Sequence, residues 1–385
     1  MSRASLLGGR AYEVSPGYRI RTDLNDHLLP LRQNDDPDKY MAKITNVYPA
    51  SIRSVAVIGA GISGLICART LQDHGLKVTV FEKSYGPGGR TATRRADPNL
   101  SYDHGAQYFT ARDPHFARYV DAWIEQGIVA EWNGRIVEIE GGEVRPKTDQ
   151  PRRFVGVPGM KAMAQHLATG IDLRRETRIV GLTRTRNRWD LTDADSQKHQ
   201  SFDDVGVALP SPQALDLLAE HPFATEVREV RMTPCWTVLA AFERPLEVPW
   251  DGAFVHYSPL GWVARNSSKP GRDPSIDCWV LQATPDWSAT HLEFTRPNVT
   301  ALLLAQFAKI IPDPEPSPIH LDAHLWRFSA PPQKLDRAAL FDSTTGIAVC
   351  GDWLAGGRVE GAFRSGVAAA RCILRESSIP TERTR

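Results

Sequence analysis

The stretch VAVIGAGISGLICARTLQDHGLKVTVFEKSYGPGGRTATRR, from Val55 to Arg95, decides the fold. Residues 55–58 are a short apolar β run, 59–64 a glycine turn, 65–71 a segment with helical spacing and 77–81 a second β run. Together they predict a β-α-β unit. Gly59, Gly61 and Gly64 fit the pattern G-x-G-x-x-G, with Ser63 inside the same turn. The first glycine permits the tight turn, the second lets backbone approach a pyrophosphate, and the third allows close helix–strand packing. The helix that follows aims its N–H groups and positive dipole end at the phosphates. Glu82 ends the second strand about 20 residues after Gly61, where a carboxylate accepts hydrogen bonds from a ribose diol and repels a 2′-phosphate. Lys83 follows it. Strand, turn, helix and acid in this order predict a dinucleotide site.

The bulk composition narrows the alternatives. The chain has 385 residues and 42% hydrophobic content, enough for a sizeable core in one large domain or two. Lys plus Arg number 46 against 45 Asp plus Glu, so no electrostatic case arises for nucleic acid or an anionic membrane. The five cysteines (Cys67, Cys235, Cys278, Cys350, Cys372) show no CxxC or metal-like spacing and read as reduced thiols in a cytoplasmic protein. No run approaches the ~18 apolar residues that would span a bilayer. The first fifty residues are polar, with Pro, Gly, Asp and Asn throughout, and read as a loosely ordered extension. Met41 offers an alternative start.

Further along, helices are expected at 116–126, 157–168, 300–310 and 361–375. Strands are expected at 135–144, around an EGGE turn, and at 173–182, 188–191, 204–209, 236–242, 253–256, 262–266, 278–283 and 346–350. The segment PDPEPSP reads as a proline-rich surface crossing. No internal repeat is present. The pattern predicts an α/β protein: a discontinuous Rossmann-like domain interrupted by a β-rich substrate-binding insert. Its boundaries are expected as an extension over 1–50, a dinucleotide domain over 51–110, 151–220 and 325–376, a substrate domain over 111–150 and 221–324, and a tail over 377–385.

After Glu82 the segment KSYGPGGRTATRR carries a second glycine group, with Gly89 and Arg90 directly after the acidic strand end. Small residues there let the chain pass close to a ribityl and pyrophosphate, and Arg90 is suited to neutralising phosphate charge. An enzyme binding only NAD has no need of this pair. Near the C-terminus, Gly351 and Asp352 follow an apolar strand, so a carboxylate sits where ligands bind in such sheets and is suited to a ribityl hydroxyl. Gly361 and Ala362 then begin a helix, whose N–H groups are suited to the edge of a bound cofactor that gains negative charge.

The glycine-glycine-arginine group resembles the flavin-binding signature of the amine-oxidase and phytoene-desaturase flavoproteins. Within that group, YDHGAQYFTARDPHF, PCWTVLAAFERPL, GWVARNSSKPGR, CWVLQATPDWSATHLE, HLWRFSAP and CGDWLAGGRVEGAFRSGVAAA occur in an order similar to renalase-like FAD-dependent oxidoreductases. The resemblance covers about residues 55–374. It implies an amine-oxidase-like two-domain flavoprotein with non-covalent FAD, held in addition by Gly105, Ala106 and Gln107. It implies oxidation of 2- or 6-dihydro isomers of NAD(P)H to NAD(P)⁺, with hydride passing to flavin N5 and O₂ reoxidising the flavin to give hydrogen peroxide. By the same motifs, Gln282 and Trp326 are expected at the nicotinamide, and Arg265 and Asn266 at its carboxamide or at the phosphates of the substrate. Gln282 stands where many relatives have His; an amide orients a carboxamide but does not titrate. Tyr108 is expected to shape the site.

Other chemistries stay open at this level. An amine oxidase usually places an aromatic residue just before the last helix, where this chain has Gly356, Gly357 and Arg358. A desaturase needs an apolar tunnel or a membrane-facing surface. A module that holds FAD without turnover would be yellow but would not bleach.

Overall fold

A computed structural model describes residues 52–97, 100–311, 317–331, 335 and 337–376. The expected extension over 1–50, the start at Met41, the tail over 377–385 and most of the proline-rich crossing lie outside these residues.

The opening stretch folds as expected. Strand Ser54–Ile58, helix Ile62–Asp73 and strand Lys77–Phe81 form a β-α-β unit. Parallel pairing aligns Val55 with Val78 and Ile58 with Phe81. The strands are near-continuous apolar runs because both faces are covered; Val55, Ala56 and Val57 are fully buried. Two glycines make the turn possible. Gly59 has φ of 106°, where a side chain would be strained. A Cβ on Gly64 would overlap the Gly59 carbonyl oxygen. The completed sheet has six strands, in the order Leu340–Asp342, Ile347–Val349, Asp204–Val207, Ser54–Ile58, Lys77–Phe81 and Asp172–Arg174. All neighbours pair parallel except the antiparallel edge strand Leu340–Asp342. Residues far apart in sequence thus build one doubly wound layer, as the discontinuous arrangement requires.

The second sheet is mixed and has seven strands: His320–Ala330, Thr233–Phe242, Asp277–Ala283, Leu260–Arg265, Gly252–His256, Ile136–Glu140 and Glu143–Pro146. Its side chains alternate between two environments. Val238, Ala240, Phe242, Trp279 and Leu281 pack with Val299, Leu303 and Phe307 of helix Arg296–Ala308. Leu239, Ala241, Cys278 and Val280 face the other way, against Leu100 and Tyr102, while Trp262, Ala264 and Ile136 join the core of the dinucleotide-binding layer. This second face carries the candidate site.

Four expectations change. The strand His320–Ala330 crosses the boundary expected at 324/325, because it pairs along its length with Thr233–Phe242 and belongs to the mixed sheet. Helix Pro114–Glu125, placed with the substrate domain, instead buries Phe116, Val120 and Trp123 in the dinucleotide-layer core, against Phe363. The helix expected over 157–168 is confined to Ala162–Ala168, after a strand Phe154–Gly156 and a Pro158–Gly159 break. The strand expected over 173–182 is two strands in different sheets, Asp172–Arg174 and Ile179–Thr185, parted near Glu176, whose φ is 55°. Among the described residues, no helix is long and apolar enough to cross a membrane.

Candidate active site

The glycine turn prepares a phosphate site. Helix Ile62–Asp73 starts from Gly61 with no side-chain cap, so its first N–H groups have no acceptor from that residue. A Cβ on Gly61 would meet nothing within 4 Å, so open space lies in front of these donors. Ser63 Oγ is buried beside the Cys350 thiol. Glu82 is 6% exposed and accepts from the backbone N–H groups of Ala60 and Ser84, each at 2.8 Å. Each carboxylate oxygen keeps a lone pair for a ribose hydroxyl. Orphaned donors, open space and a fixed carboxylate fit the adenosine-diphosphate half of FAD. Lys83 and Gly89 are exposed beside them.

Arg90 and Asp352, both expected to meet the cofactor separately, are joined to each other. Arg90 Nη2 and Nη1 donate to Asp352 Oδ1 and Oδ2 at 2.6 and 3.0 Å, and Nη1 also donates to Ser329 O at 2.9 Å. The fork geometry of guanidinium and carboxylate favours this pairing. Arg90 therefore ties the second glycine group to the C-terminal strand end beside Gly351, rather than standing ready for a phosphate. The last helix, Val359–Glu376, begins two residues before Gly361. Ala362 N–H already donates to Arg358 O at 2.9 Å, so it is not free for the flavin edge.

The segment Asp103–Gln107 lies between the glycine group and the mixed sheet. Ala106 N–H donates to Arg90 O at 2.8 Å, and a Cβ on Gly105 would overlap that same oxygen. From the sheet, Trp326 Nε1 donates to His104 O and Gln282 Nε2 donates to Gly105 O, both at 2.8 Å. The donors expected at the nicotinamide thus hold the backbone of this segment, and it is their remaining surfaces that face outward. Strand register sets them in rows: Cys235 opposite Trp326, and His324, Thr237, Gln282, Trp262 and Phe254 side by side across five strands. His104 lies tilted against Trp326 (ring centroids 4.9 Å apart) and meets His324 edge-on. Burial lowers both imidazoles to about 4, His324 and Arg94 adding to the effect on His104, and Arg94 and Arg296 to that on His324. Both rings are neutral at pH 7.

Arg265 and Asn266 do not reach this wall. Arg265 donates to Leu246 O at 2.6 Å, pairs with Asp277 at 3.4 Å and covers the Trp279 ring, all on the opposite side of the sheet. Strand alternation is the reason: Trp262 and Ala264 face the site, so Arg265 faces away. Asn266 is 1% exposed and structural; it donates to Ser101 O and accepts from Lys269 Nζ and Asp103 N–H.

Sequence reasoning missed a buried ionic cluster beneath the segment. Asp103, Lys269 and Arg272 are sealed from solvent, with Asp103 Oδ2 at 2.5 Å from Arg272 Nη2 and 3.4 Å from Lys269 Nζ. Asp103 Oδ1 accepts from Thr93 Oγ1 and Met160 N–H, and Lys269 also donates to Gln107 Oε1 at 3.1 Å. Burial opposes charge on Asp103, but Lys269, Arg272 and the Met160 N–H outweigh it and hold the carboxyl below its ordinary value. Burial lowers Lys269 to about 8 despite Asp103. The signal was present in SSKPGR, whose two cations had no visible partner in the sequence.

Comparisons with known proteins agree with this geometry. Residues 57–123 match the model of an NAD(P)-binding Rossmann-like domain, and residues 138–374 match that of flavin containing amine oxidoreductase. A structure described as a protoporphyrinogen oxidase from Exiguobacterium sp. 255-15 superposes with a TM-score of 0.72 at 14% identity, over 85% of this chain and 99% of that one. Cyclohexylamine oxidase from Brevibacterium oxydans IH-35A gives a TM-score of 0.70 at 14% identity, over 85% and 100% of the two chains. In sequence, mitochondrial protoporphyrinogen oxidase of Nicotiana tabacum is 41% identical over 73 residues, which are 19% of this chain and 14% of that protein. Senecionine N-oxygenase of Tyria jacobaeae is 26% identical over 158 residues, 40% and 31% of the two chains. The chain spans less than a third of the length of either of these curated relatives. The family match covers more than half of the chain and includes both the mixed sheet and the C-terminal helix: this protein belongs to the flavin containing amine oxidoreductase family, and its cofactor is FAD.

Proposed function

We propose that the protein is an oxidase of dihydronicotinamide dinucleotides, converting 2- or 6-dihydro isomers of NAD(P)H to NAD(P)⁺ with O₂ as final acceptor and hydrogen peroxide as product. The observation that carries this reading is the make-up of the wall beside the Asp103–Gln107 segment. Its side chains are Trp326, Gln282, Trp262, Thr237 and two imidazoles held neutral. Flat apolar surfaces with few polar groups suit a planar heterocycle. The buried carboxylates nearby, Asp103 and Asp352, are committed to Lys269, Arg272 and Arg90 and so are not free to pair with an ammonium.

Bound FAD supplies the two-electron acceptor. The work left to this chain is positioning and exclusion of water. Trp326 and Gln282 fix the backbone at His104 and Gly105, and through Ala106 the position of Arg90, so wall and glycine group are held at a constant spacing. No side chain of this wall has to exchange a proton near neutral pH, which suits hydride removal from a ring that becomes aromatic. Glu82, the Gly61 helix start and Ser63 are assigned to the adenosine diphosphate, and the FAD is proposed to be non-covalent.

The test is anaerobic mixing of the yellow holoenzyme with borohydride-treated NAD⁺, a mixture of dihydro isomers. Rapid bleaching by a minor component, with none by ordinary NADH or simple amines, is expected. Bleaching by amines alone would overturn the reading, and colour that never bleaches would favour a binding module.

A further inference from the structure

Arg153 precedes strand Phe154–Gly156 and is 4% exposed. Its guanidinium carbon lies 5.4 Å from the centre of the Tyr108 ring. Its polar contacts are long and neutral: Nη1 to Gln150 Oε1 at 3.5 Å and to Pro151 O at 3.3 Å. Nε is buried with no acceptor. Among the described residues no carboxylate pairs with it; Glu131 is taken by the neighbouring Arg152 and Glu138 by Lys147. A desolvated guanidinium without a counterion costs several kcal/mol. Lys269 and Arg272, equally buried, have Asp103.

A second donor is left over beside the same tyrosine. Trp262 is 7% exposed, its ring lies 5.5 Å from that of Tyr108, and its Nε1 is buried without a partner. Buried donors are nearly always satisfied, so two orphans against one ring call for an acceptor from outside the chain. The place is adjacent to the wall: Trp262 stands opposite Gln282, and Tyr108 follows Gln107. Trp132 and Phe254 extend the aromatic lining around it.

We propose that Arg153 is a specificity-determining residue that receives an anionic group, a carboxylate or a phosphate, carried by a substrate whose flat ring packs among Tyr108 and Trp262. This deepens, and rests on, the reading of the wall as a seat for a planar heterocycle. It adds that the substrate is anionic; in a dinucleotide the pyrophosphate meets that requirement. A buried cation with no carboxylate beside it among the described residues also repels an ammonium, which sets the site against amines by charge as well as by shape.

The test uses FAD-loaded protein in the oxidised state and three probes: benzoate, phenyl phosphate and the neutral isostere benzamide. Binding is read by equilibrium dialysis and by the change in the visible flavin spectrum. The wild type is expected to bind one of the two anions at least tenfold more tightly than benzamide, and the preferred anion distinguishes a carboxylate ligand from a phosphate one. Arg153→Gln is expected to lose at least tenfold for that anion and nothing for benzamide, with flavin content unchanged. Arg153→Lys is expected to fall between. Equal binding of anions and benzamide by the wild type, or unchanged anion binding by Arg153→Gln, overturns the assignment. If Arg153→Gln fails to retain FAD, the wild-type preference decides alone. The probes are not turned over. Amine bleaching with the anion preference intact would therefore refute the proposed function and leave Arg153 standing, whereas dihydro-isomer bleaching without the preference would refute Arg153 only.

Discussion

Replacing Asp103 with Asn should cost more than any other single change in the polar interior. Asp103 is fully buried and serves four donors: Thr93 Oγ1, Met160 N–H, Arg272 and Lys269. Asparagine keeps the shape but removes the charge, and presents an NH₂ group to one side of the cluster. Two buried cations then lose the one carboxylate that pairs with them among the described residues. Breaking a buried pair in this way costs about 3–5 kcal/mol. For a chain of this size that corresponds to a fall in melting temperature of roughly 4–6 °C. The effect should depend on pH in a defined direction. Lys269 is lowered to about 8 from an ordinary 10.5 in the folded protein, so the unfolded chain binds its proton more tightly. Below pH 8 the folded protein must hold a charged lysine, and without Asp103 that charge is uncompensated. Above pH 8 the lysine is neutral in both folded proteins, and its share of the penalty disappears. The gap between wild type and Asp103→Asn should therefore be widest near pH 6 and narrower near pH 9. Melting scans at one rate, with matched FAD content, measure it. A gap below about 1 kcal/mol, or one that does not change across pH 8, would refute the idea of a buried ion cluster. Coupling with Lys269→Met in a double-mutant cycle provides the independent check.

Glu82→Ala frees the Ala60 and Ser84 N–H groups and should weaken FAD retention by about 10- to 100-fold, the equivalent of one hydrogen bond to a charged group; flavin content after gel filtration of diluted protein reads it. Gly64→Ala drives a Cβ into the Gly59 carbonyl oxygen and should yield little folded protein, while Gly61→Ala, facing open space, should fold and lose affinity for FAD. His104 is lowered to about 4, so the unfolded state binds its proton first; stability present above pH 6.5 should be lost progressively as pH falls towards 4, by up to about 3 kcal/mol. His104→Gln should flatten that part of the pH–stability curve, and an unchanged slope would remove His104 as its source.

The β-α-β unit was legible because its determinants are local. Glycine spacing, apolar period and a terminal acid all fall within one short stretch, and each acts on near neighbours. The wall was legible only in part. The motifs single out Gln282 and Trp326 but do not show what they hold, since their partners Gly105 and His104 lie 177 and 222 residues away. Arg265 was misplaced although the rule that corrects it was available: in GWVAR, a site-facing Trp262 puts Ala264 on the same side and Arg265 on the other. Arg90 and Asp352 were each assigned to the cofactor by charge, and neither assignment foresaw that two complementary ends brought together across the sheet would bind each other. Lys269 and Arg153 are the deeper failure. A sequence displays their charge but not their desolvation, and desolvation is what separates a surface cation of little consequence from a buried one that needs a carboxylate. Lys269 obtains its carboxylate from 166 residues away. Arg153, as buried, has none among the described residues, so the same physical cost that explains Asp103 as a structural counterion makes Arg153 intelligible as a receptor for an anion brought in by a substrate.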